Sequence, residues 1–248
     1  MLRFTADLIV CRAMKLKEVM AALQAKGSES IKRIMMKHGA KEPYFGVKVA
    51  DMKVIAKQIK GDQALALELY ATGNGDAQYL ASMVADGAKM SRAELNSWAK
   101  NASWDMVSGT TVPWVASEHP DGAACALKWI DSRNEQVARA GWAALSALAA
   151  TRPDAELPLQ EYSSLLDRIV TSIHSAPDGV RYTMNNFIIA VGTYIAPLGA
   201  KALATARAVG KVEIDMGDTN CKVADAEEYI GKARRGAPVA PKRKTVRC

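Results

Sequence analysis

Hydrophobic residues recur at helical spacing along nearly the whole chain, and this pattern limits the fold more than any other feature of the sequence. The series opens with Leu16, Val19, Met20 and Leu23. Later segments repeat at positions i, i+3, i+4 and i+7, which is the period of a helix with one buried face. No segment sustains the alternation expected of a strand. The sequence therefore predicts an all-α protein.

Short breaks divide this pattern into roughly a dozen helices, a number typical of stacked helix pairs. Ser91 followed by Glu94 is a capping-box pattern, which predicts a helix start at Ser91. Several breaks contain proline, which cannot continue a helix interior: Pro120, Pro153, Pro177 and Pro197. A four-helix bundle would need fewer and longer helices. We therefore expect antiparallel helix pairs stacked side by side in a solenoid.

The first residues do not fit the helical pattern. Residues 1–13 contain a short apolar run interrupted by charge, with Arg3 before it and Asp7 within it. This stretch is too short and too interrupted for a signal peptide or a membrane span. We predict that residues 1–13 are a frayed or non-native extension and that the helical domain covers residues 14–210.

The last residues also depart from the pattern. Residues 211–235 predict an extended strip followed by a last short helix. Residues 236–248 are rich in proline and basic residues and poor in apolar ones, so we predict a mobile tail. A basic tail beside DNA adds nonspecific affinity, which makes Lys242, Arg243 and Lys244 candidate DNA contacts; the alternative is a tail that only aids solubility.

The charge and the cysteine content limit the kinds of partner and cofactor that the protein can have. A formal net charge of +7 favours a polyanionic partner, because Lys and Arg on DNA release condensed counterions. The cysteines and histidines are too dispersed for a metal site or a disulfide framework. No phosphate-binding loop, dinucleotide fingerprint or nucleophile elbow is present. We expect duplex or branched DNA as partner, no cofactor, no metal, no membrane, and a monomer in a reducing cytoplasm.

Three segments resemble the AlkD-like DNA alkylation-repair family: KEPYFGVKVADMKVIAK at 41–57, WDMVSGTTVPWV at 104–115 and VARAGWAAL at 137–145. The likeness extends over residues 14–210. It implies a right-handed, C-shaped solenoid of HEAT-like helix pairs with a basic concave face that holds duplex DNA. Founding members excise alkylpurines such as 7-methylguanine and 3-methyladenine. Their chemistry needs a carboxylate near the deoxyribose and aromatic faces that attract the cationic lesion.

The resemblance places the family's catalytic aspartate on Ser108, or on Gly109 if the register shifts by one residue, so the carboxylate is missing. Asp105 is a candidate replacement, because residues three apart on a helix share a face. The structural alternative is that Ser103 caps the helix and Asp105 stabilises its first turn.

The other site residues follow from the same resemblance. Trp104 falls on the family's aromatic platform, and its ring is expected at an exposed helix start or in the core. The second aromatic falls on Asn186, or on Phe187 after a one-residue slide. Arg139 matches the phosphate-contacting arginine. Further candidate backbone contacts are Lys48, Lys53, Arg181, Tyr182, Asn185 and Asn186.

Three functions are compatible with these residues. The favoured one is a DNA-binding relative without efficient glycosylase activity, because Ser108 stands at the aspartate position. The second is an active alkylpurine glycosylase that uses Asp105 or another carboxylate. The third is a protein-interaction scaffold, since HEAT-like repeats commonly serve as one.

Overall fold

The computed structural model describes residues 14–216, 219 and 221–247, so the prediction for residues 1–13 lies outside the described residues. The described residues form thirteen α-helices and no strand, which confirms the all-α prediction. The helices are α1 Leu16–Ala25, α2 Glu29–Lys37, α3 Val49–Gln58, α4 Gln63–Ala71, α5 Gly75–Val84, α6 Arg92–Lys100, α7 Val112–Glu118, α8 Gly122–Trp129, α9 Glu135–Thr151, α10 Leu159–Ser172, α11 Asp178–Tyr194, α12 Gly199–Val209 and α13 Ala226–Arg234. A π-helical turn, Val107–Thr111, precedes α7.

Successive helices pack as pairs in two layers. Helices α3, α5, α7, α9 and α11 lie side by side in one layer, and α4, α6, α8, α10 and α12 pack against them. Each pair covers the apolar stripes that its neighbours expose, so the core is continuous along the stack. The predicted stack of helix pairs is therefore observed. The capping box at Ser91 is also confirmed, since Ser91 and Glu94 bond to each other's backbone N–H groups.

Aromatic side chains fill the middle of the core. Trp142 packs edge-on against Phe187, with ring centroids 5.3 Å apart, and Tyr162 lies 5.2 Å from the same ring. All three side chains are fully buried. Large aromatic rings in such pairs contribute both buried area and an additional quadrupole attraction. This cluster joins α9, α10 and α11 and so fixes the helices that carry much of the site described below.

A buried carboxylate fixes the loop before α3. Asp76 accepts hydrogen bonds from the backbone N–H groups of Phe45, Gly46 and Val47, at 2.6, 3.0 and 3.0 Å. Burial raises the pKa of Asp76, and the hydrogen bonds from these backbone N–H groups act in the opposite direction. A single side chain on α5 therefore holds a turn that lies about thirty residues earlier in the chain.

The end of the solenoid is covered by the last segments. Gly210 ends α12 with a positive φ of 66°, a conformation that favours glycine. After the strip, α13 packs against α11 and α12. A Cβ added to Gly192 would lie 2.4 Å from Ile230, so a glycine on α11 permits this close approach.

The described residues 236–247 of the predicted mobile tail contact the ends of two helices. The backbone N–H of Ala240 donates to the carbonyl of Thr193 at 2.8 Å, and that of Arg243 donates to Ala150 at 2.7 Å. Both acceptors lie in the last turn of a helix, where carbonyls lack intrahelical partners. The composition suggested a tail that cannot fold alone, but these free carbonyls give it a surface to bind.

Within the part of the chain that the structure describes, no single helix is long and apolar enough to cross a membrane. The segments Asp178–Tyr194 and Ala196–Val209 reach the length and hydropathy of a membrane span only when they are taken together. A bend of 116° separates them.

Candidate nucleic-acid interface

A groove of about 720 Å³ opens on the side of the layer formed by α9 and α11. It is bounded by the end of α2, the π-helical turn, the first half of α9 and of α11, and the strip after α12. Polar and charged residues that line it include Lys37, Asp105, Arg139, Asp178, Tyr182 and Asn186. We call this region the groove.

Ser108 and Gly109, at the start of the π-helical turn, point in different directions. The backbone N–H of Ser108 donates to the carbonyl of Trp104, four residues earlier, so Asp105 and Gly109 are one α-helical turn apart and share a face. Ser108 is fully buried, and its hydroxyl donates to the side chain of Gln136. Gly109, the next residue, lines the groove. Of the two positions on which the resemblance places the family's aspartate, Ser108 is therefore buried and Gly109 lines the groove.

Asp105 is in the groove, with 46% of its side chain exposed. Its carboxylate accepts a hydrogen bond from the amide of Gln136 at 2.8 Å and forms an ion pair with Arg139. The capping explanation for this region is wrong, because the hydroxyl of Ser103 is buried and has no hydrogen-bond partner within the described residues. The position of Asp105 is set by two side chains of α9.

Arg139 lies in a narrow slot between two glycines, and only 12% of its side chain is exposed. A Cβ at Gly109 would be 3.0 Å from Arg139 Nε, and one at Gly179 would be 2.6 Å from Nη1. Any larger residue at either place would have to displace the guanidinium. The predicted phosphate contact thus borders the groove, but its Nη1 is already bound to Asp105.

Trp104 does not form an exposed platform. It borders the groove, but only 3% of the residue is exposed. Its ring packs edge-on against Tyr44, with centroids 5.8 Å apart and an interplanar angle of 83°. Of the two places expected for this ring, the structure therefore shows the core, because tertiary packing between α5, Tyr44 and the π-helical turn encloses it.

Two predicted contacts on α11 are occupied by the protein itself. Arg181 donates to the carbonyls of Glu213 and Ala176, at 2.6 and 2.8 Å. Asn185 is buried and donates to the carbonyl of Ala224 at 2.9 Å. The bonds to Glu213 and Ala224 attach the strip to α11, so both side chains already have partners within the protein, and their contact with DNA stays a prediction.

The other predicted residues of α11 lie either at the groove or in the core. Tyr182 and Asn186, one helical turn apart, both line the groove. Phe187 is fully buried in the aromatic core. Of the two residues on which the resemblance places the family's second aromatic, Asn186 therefore lies at the groove and Phe187 lies in the core.

The predicted lysine contacts lie elsewhere. Lys48 and Lys53 are exposed at the start of α3 and do not line the groove. Lys242 donates to the carbonyl of Ala149 at 2.8 Å and lies 2.7 Å from Asp154. Arg243 and Lys244 are exposed.

Sequence reasoning missed the wall formed by the end of α2. Lys37 and His38 line the groove there, opposite α11. No motif marks them, because their placement depends on how α2 packs at the start of the stack. Among the described residues no group of three His, Cys, Asp or Glu side chains could hold a metal ion.

The comparison with protein families decides the relationship of this chain. The family described as DNA alkylation repair enzyme matches residues 19–225. The chain belongs to this family. Two relatives of this chain carry the description of uncharacterized proteins: Lin0241 of Listeria innocua is 32% identical and Lmo0209 of Listeria monocytogenes is 31% identical. Each match extends over 218 residues, 86% of this chain and 94% of the relative.

A solved structure matches this chain over 95% of its length and over 100% of the other chain, with a TM-score of 0.86 and 38% identity. That structure is described as a new family of proteins related to the HEAT-like repeat DNA glycosylases with affinity for branched DNA structures. The match confirms the predicted HEAT-like repeat fold and the resemblance to the AlkD-like family.

Proposed function

We propose that this protein binds DNA in the groove, with a preference for branched DNA, and that it does not excise alkylpurines efficiently. The observation that supports the second half most directly is Gly109, which faces the groove where the family's aspartate is expected. The first half is supported by the relationship to a structure described as having affinity for branched DNA.

Excision needs a carboxylate that can stabilise positive charge developing on the deoxyribose. Asp105 is near enough to the groove to be considered, but Arg139 neutralises it at contact distance. A paired carboxylate offers less stabilisation to a second cation, because the guanidinium repels that cation. Loss of one such preorganised group typically lowers the rate by about 10²- to 10³-fold.

The lesion-binding aromatics are absent as well. Trp104 is enclosed and Asn186 replaces the second ring. A cationic base is attracted to an exposed aromatic face within about 6 Å of the ring centroid. Tyr182 is the remaining aromatic residue that lines the groove, so a cationic base would meet one aromatic side chain there. We therefore expect weak affinity for an alkylated base.

Binding of the DNA backbone has positive support. The chain carries a formal net charge of +7, and Lys37 in the groove wall forms no ion pair within the described residues. The groups of Tyr182 and Asn186 are likewise unpaired in the described part of the chain. Cations and neutral donors of this kind bind phosphates without reading sequence.

The proposal is tested by fluorescence anisotropy with a labelled four-way junction, a fork and a matched duplex at several salt concentrations. We expect binding to all three, tightest for the branched forms, with a log–log salt slope of about −0.9 for each phosphate neutralised. A flat salt profile, or no binding at low salt, would contradict DNA binding and favour the scaffold function. Equal affinity for the three forms would contradict the preference.

The alternative of an active glycosylase rests on the partial exposure of Asp105. It predicts release of 7-methylguanine by the parent protein and loss of release in Asp105→Asn with DNA affinity retained. Our proposal predicts little or no release by either protein.

A further inference from the structure

We infer that Asp105 acts as an internal counterion that competes with DNA phosphate for Arg139, and so determines how strongly the groove binds the DNA backbone. This inference rests on the proposed function. It assigns to Asp105 a role in specificity rather than in catalysis.

The carboxylate occupies the place on Arg139 that a phosphate would take. Both groups present oxygen acceptors to a guanidinium, and Arg binds both in the same way. The pair forms inside the groove, where a DNA backbone would arrive. One guanidinium nitrogen, Nη1, is therefore engaged before DNA enters.

The arrangement around the pair is specific. Gln136 donates to Asp105 at 2.8 Å, and the same amide accepts a bond from Ser108 at the start of the π-helical turn. Gly109 and Gly179 leave the slot that admits the guanidinium. Four residues from three elements thus hold one carboxylate against one arginine, which is more than a chance surface contact provides.

The consequence is a lower affinity for simple duplex phosphates. Phosphate must displace Asp105 or bind an arginine that is already neutralised, and an added phosphate is repelled by the carboxylate. Branched DNA that makes further contacts along the groove compensates for the repulsion by Asp105 more readily than a regular duplex does.

The experiment compares the parent with Asp105→Asn by anisotropy on the junction and the duplex. We expect Asp105→Asn to bind duplex roughly three- to tenfold tighter and its salt slope to steepen by about 0.9, the value for one more phosphate. The gain should disappear in the Arg139→Gln background. The preference for the junction should decrease.

The matched control is Asp131→Asn, which removes the same charge from an arginine–aspartate pair outside the groove, where Arg168 lies 2.6 Å away. It should bind like the parent. Gln136→Ala removes the hydrogen bond to Asp105 and should give a smaller increase in duplex affinity than Asp105→Asn. It replaces Asp105→Asn in the experiment if that variant does not unfold cooperatively. A parent that binds no DNA would defeat the proposed function. A parent that binds, with Asp105→Asn no tighter or equal to Asp131→Asn, would defeat the counterion alone.

A second inference comes from the tail and does not depend on DNA binding. We propose that residues 240–247, here called the strap, tie together the C-terminal ends of α11, α9, α7 and α5. The strap contacts Thr193 first, then Ala150. Arg247 then donates to the carbonyls of Ser82 and Ala85 and pairs with Glu118.

These contacts satisfy helix ends that lack partners. The last carbonyls of a helix are unpaired and carry partial negative charge, so cations and N–H donors stabilise them. Because the strap crosses four successive helices of one layer, it opposes changes in their relative positions. The groove is lined by earlier residues of α9 and α11, and Arg139 and Ala150 are separated by roughly 16 Å along α9.

The strap is tested with Arg247→Ala and its matched control Lys244→Ala, which removes the same charge from an exposed side chain of the same segment. Hydrogen–deuterium exchange should rise by about tenfold or more at the ends of α5 and α7 in Arg247→Ala but not in Lys244→Ala. Unchanged exchange in Arg247→Ala would overturn the strap. An Arg247→Ala protein whose salt slope falls by about 0.9 without a change in exchange would show instead a DNA-binding tail.

Discussion

Trp104 and Tyr44 meet edge to face, with their ring centroids 5.8 Å apart, and this contact encloses the tryptophan that the family resemblance placed at the DNA. Gly75 is part of the same contact, since a Cβ there would lie 2.6 Å from the Tyr44 ring and 3.1 Å from Trp104 Nε1. The tryptophan is therefore a packing residue between the start of α5 and the π-helical turn.

The first prediction follows from this burial. Trp104→Ala should lower the free energy of unfolding by about 3–5 kcal/mol, the usual cost of removing a buried aromatic ring. Trp104→Phe keeps most of the volume and should cost less. Thermal and denaturant unfolding measure the effect. If Trp104→Ala unfolds like the parent while DNA affinity drops, the ring is exposed in solution and contacts DNA.

The second prediction separates Ser108 from Gly109. Ser108→Asp places a carboxylate at a fully buried position, so it should lower the melting temperature strongly. Gly109→Asp places it in the groove beside Arg139 and should be tolerated better. Of the two, only Gly109→Asp brings a carboxylate to the groove, and because Arg139 would pair with it as it does with Asp105, chromatography should detect little freed 7-methylguanine from either variant. Release by Ser108→Asp alone would mean that position 108 faces the groove in solution.

The third prediction concerns Asp76. Asp76→Ala leaves three backbone N–H groups without an acceptor and should cost roughly 3 kcal/mol, at about 1 kcal/mol or more for each group. Chemical denaturation measures this cost. Glu68→Ala, an exposed carboxylate on the neighbouring helix, is the control and should have little effect.

The pKa of Asp76 gives this prediction a pH dependence. Burial raises the pKa in the folded state above that of the unfolded chain, so the folded protein holds this proton more tightly. The group therefore adds stability as pH falls through the raised pKa, and that addition is lost as pH rises. The difference in unfolding free energy between the parent and Asp76→Ala should grow on acidification. A difference that shrinks would mean that the hydrogen bonds lower the pKa more than burial raises it.

The fourth prediction concerns Arg181 and Lys37. Arg181→Ala should loosen the strip and lower the melting temperature while leaving the DNA salt slope unchanged, because its donors bind Glu213 and Ala176. Lys37→Ala should leave the melting temperature unchanged and reduce the salt slope of DNA binding by about 0.9. Melting curves and salt titrations distinguish the two. A slope lowered by Arg181→Ala at unchanged stability would restore that arginine as a phosphate contact.

The fold could be predicted because its determinants are local. Helical period, proline breaks and the Ser91 capping box set the helix limits without reference to distant residues. The site depended on tertiary contacts. Nothing in the segment WDMVSGTTVP shows how it packs against α9, yet that packing decides whether Ser108 or Gly109 faces the groove.

The ends of the chain show the same division. Composition identified a basic segment after residue 235 that cannot fold alone, and it contains Lys242 and Arg247. Composition carried no information about the free helix ends that accept those side chains. The sequence similarly indicates Arg181 and Asn185 as candidate DNA contacts. It does not reveal their acceptors, because Glu213 and Ala224 lie in a strip with no sequence motif.

One measurement tests the central claim most directly. A labelled four-way junction carrying a single 7-methylguanine is incubated with excess protein, and both the bound fraction and the freed base are measured in the same sample. Our account predicts that the junction is bound, more tightly than a duplex with the same lesion, and that the base remains attached over times in which a glycosylase with the catalytic aspartate removes it. Release of the base at a comparable rate, or an unbound junction at low salt, would contradict the account.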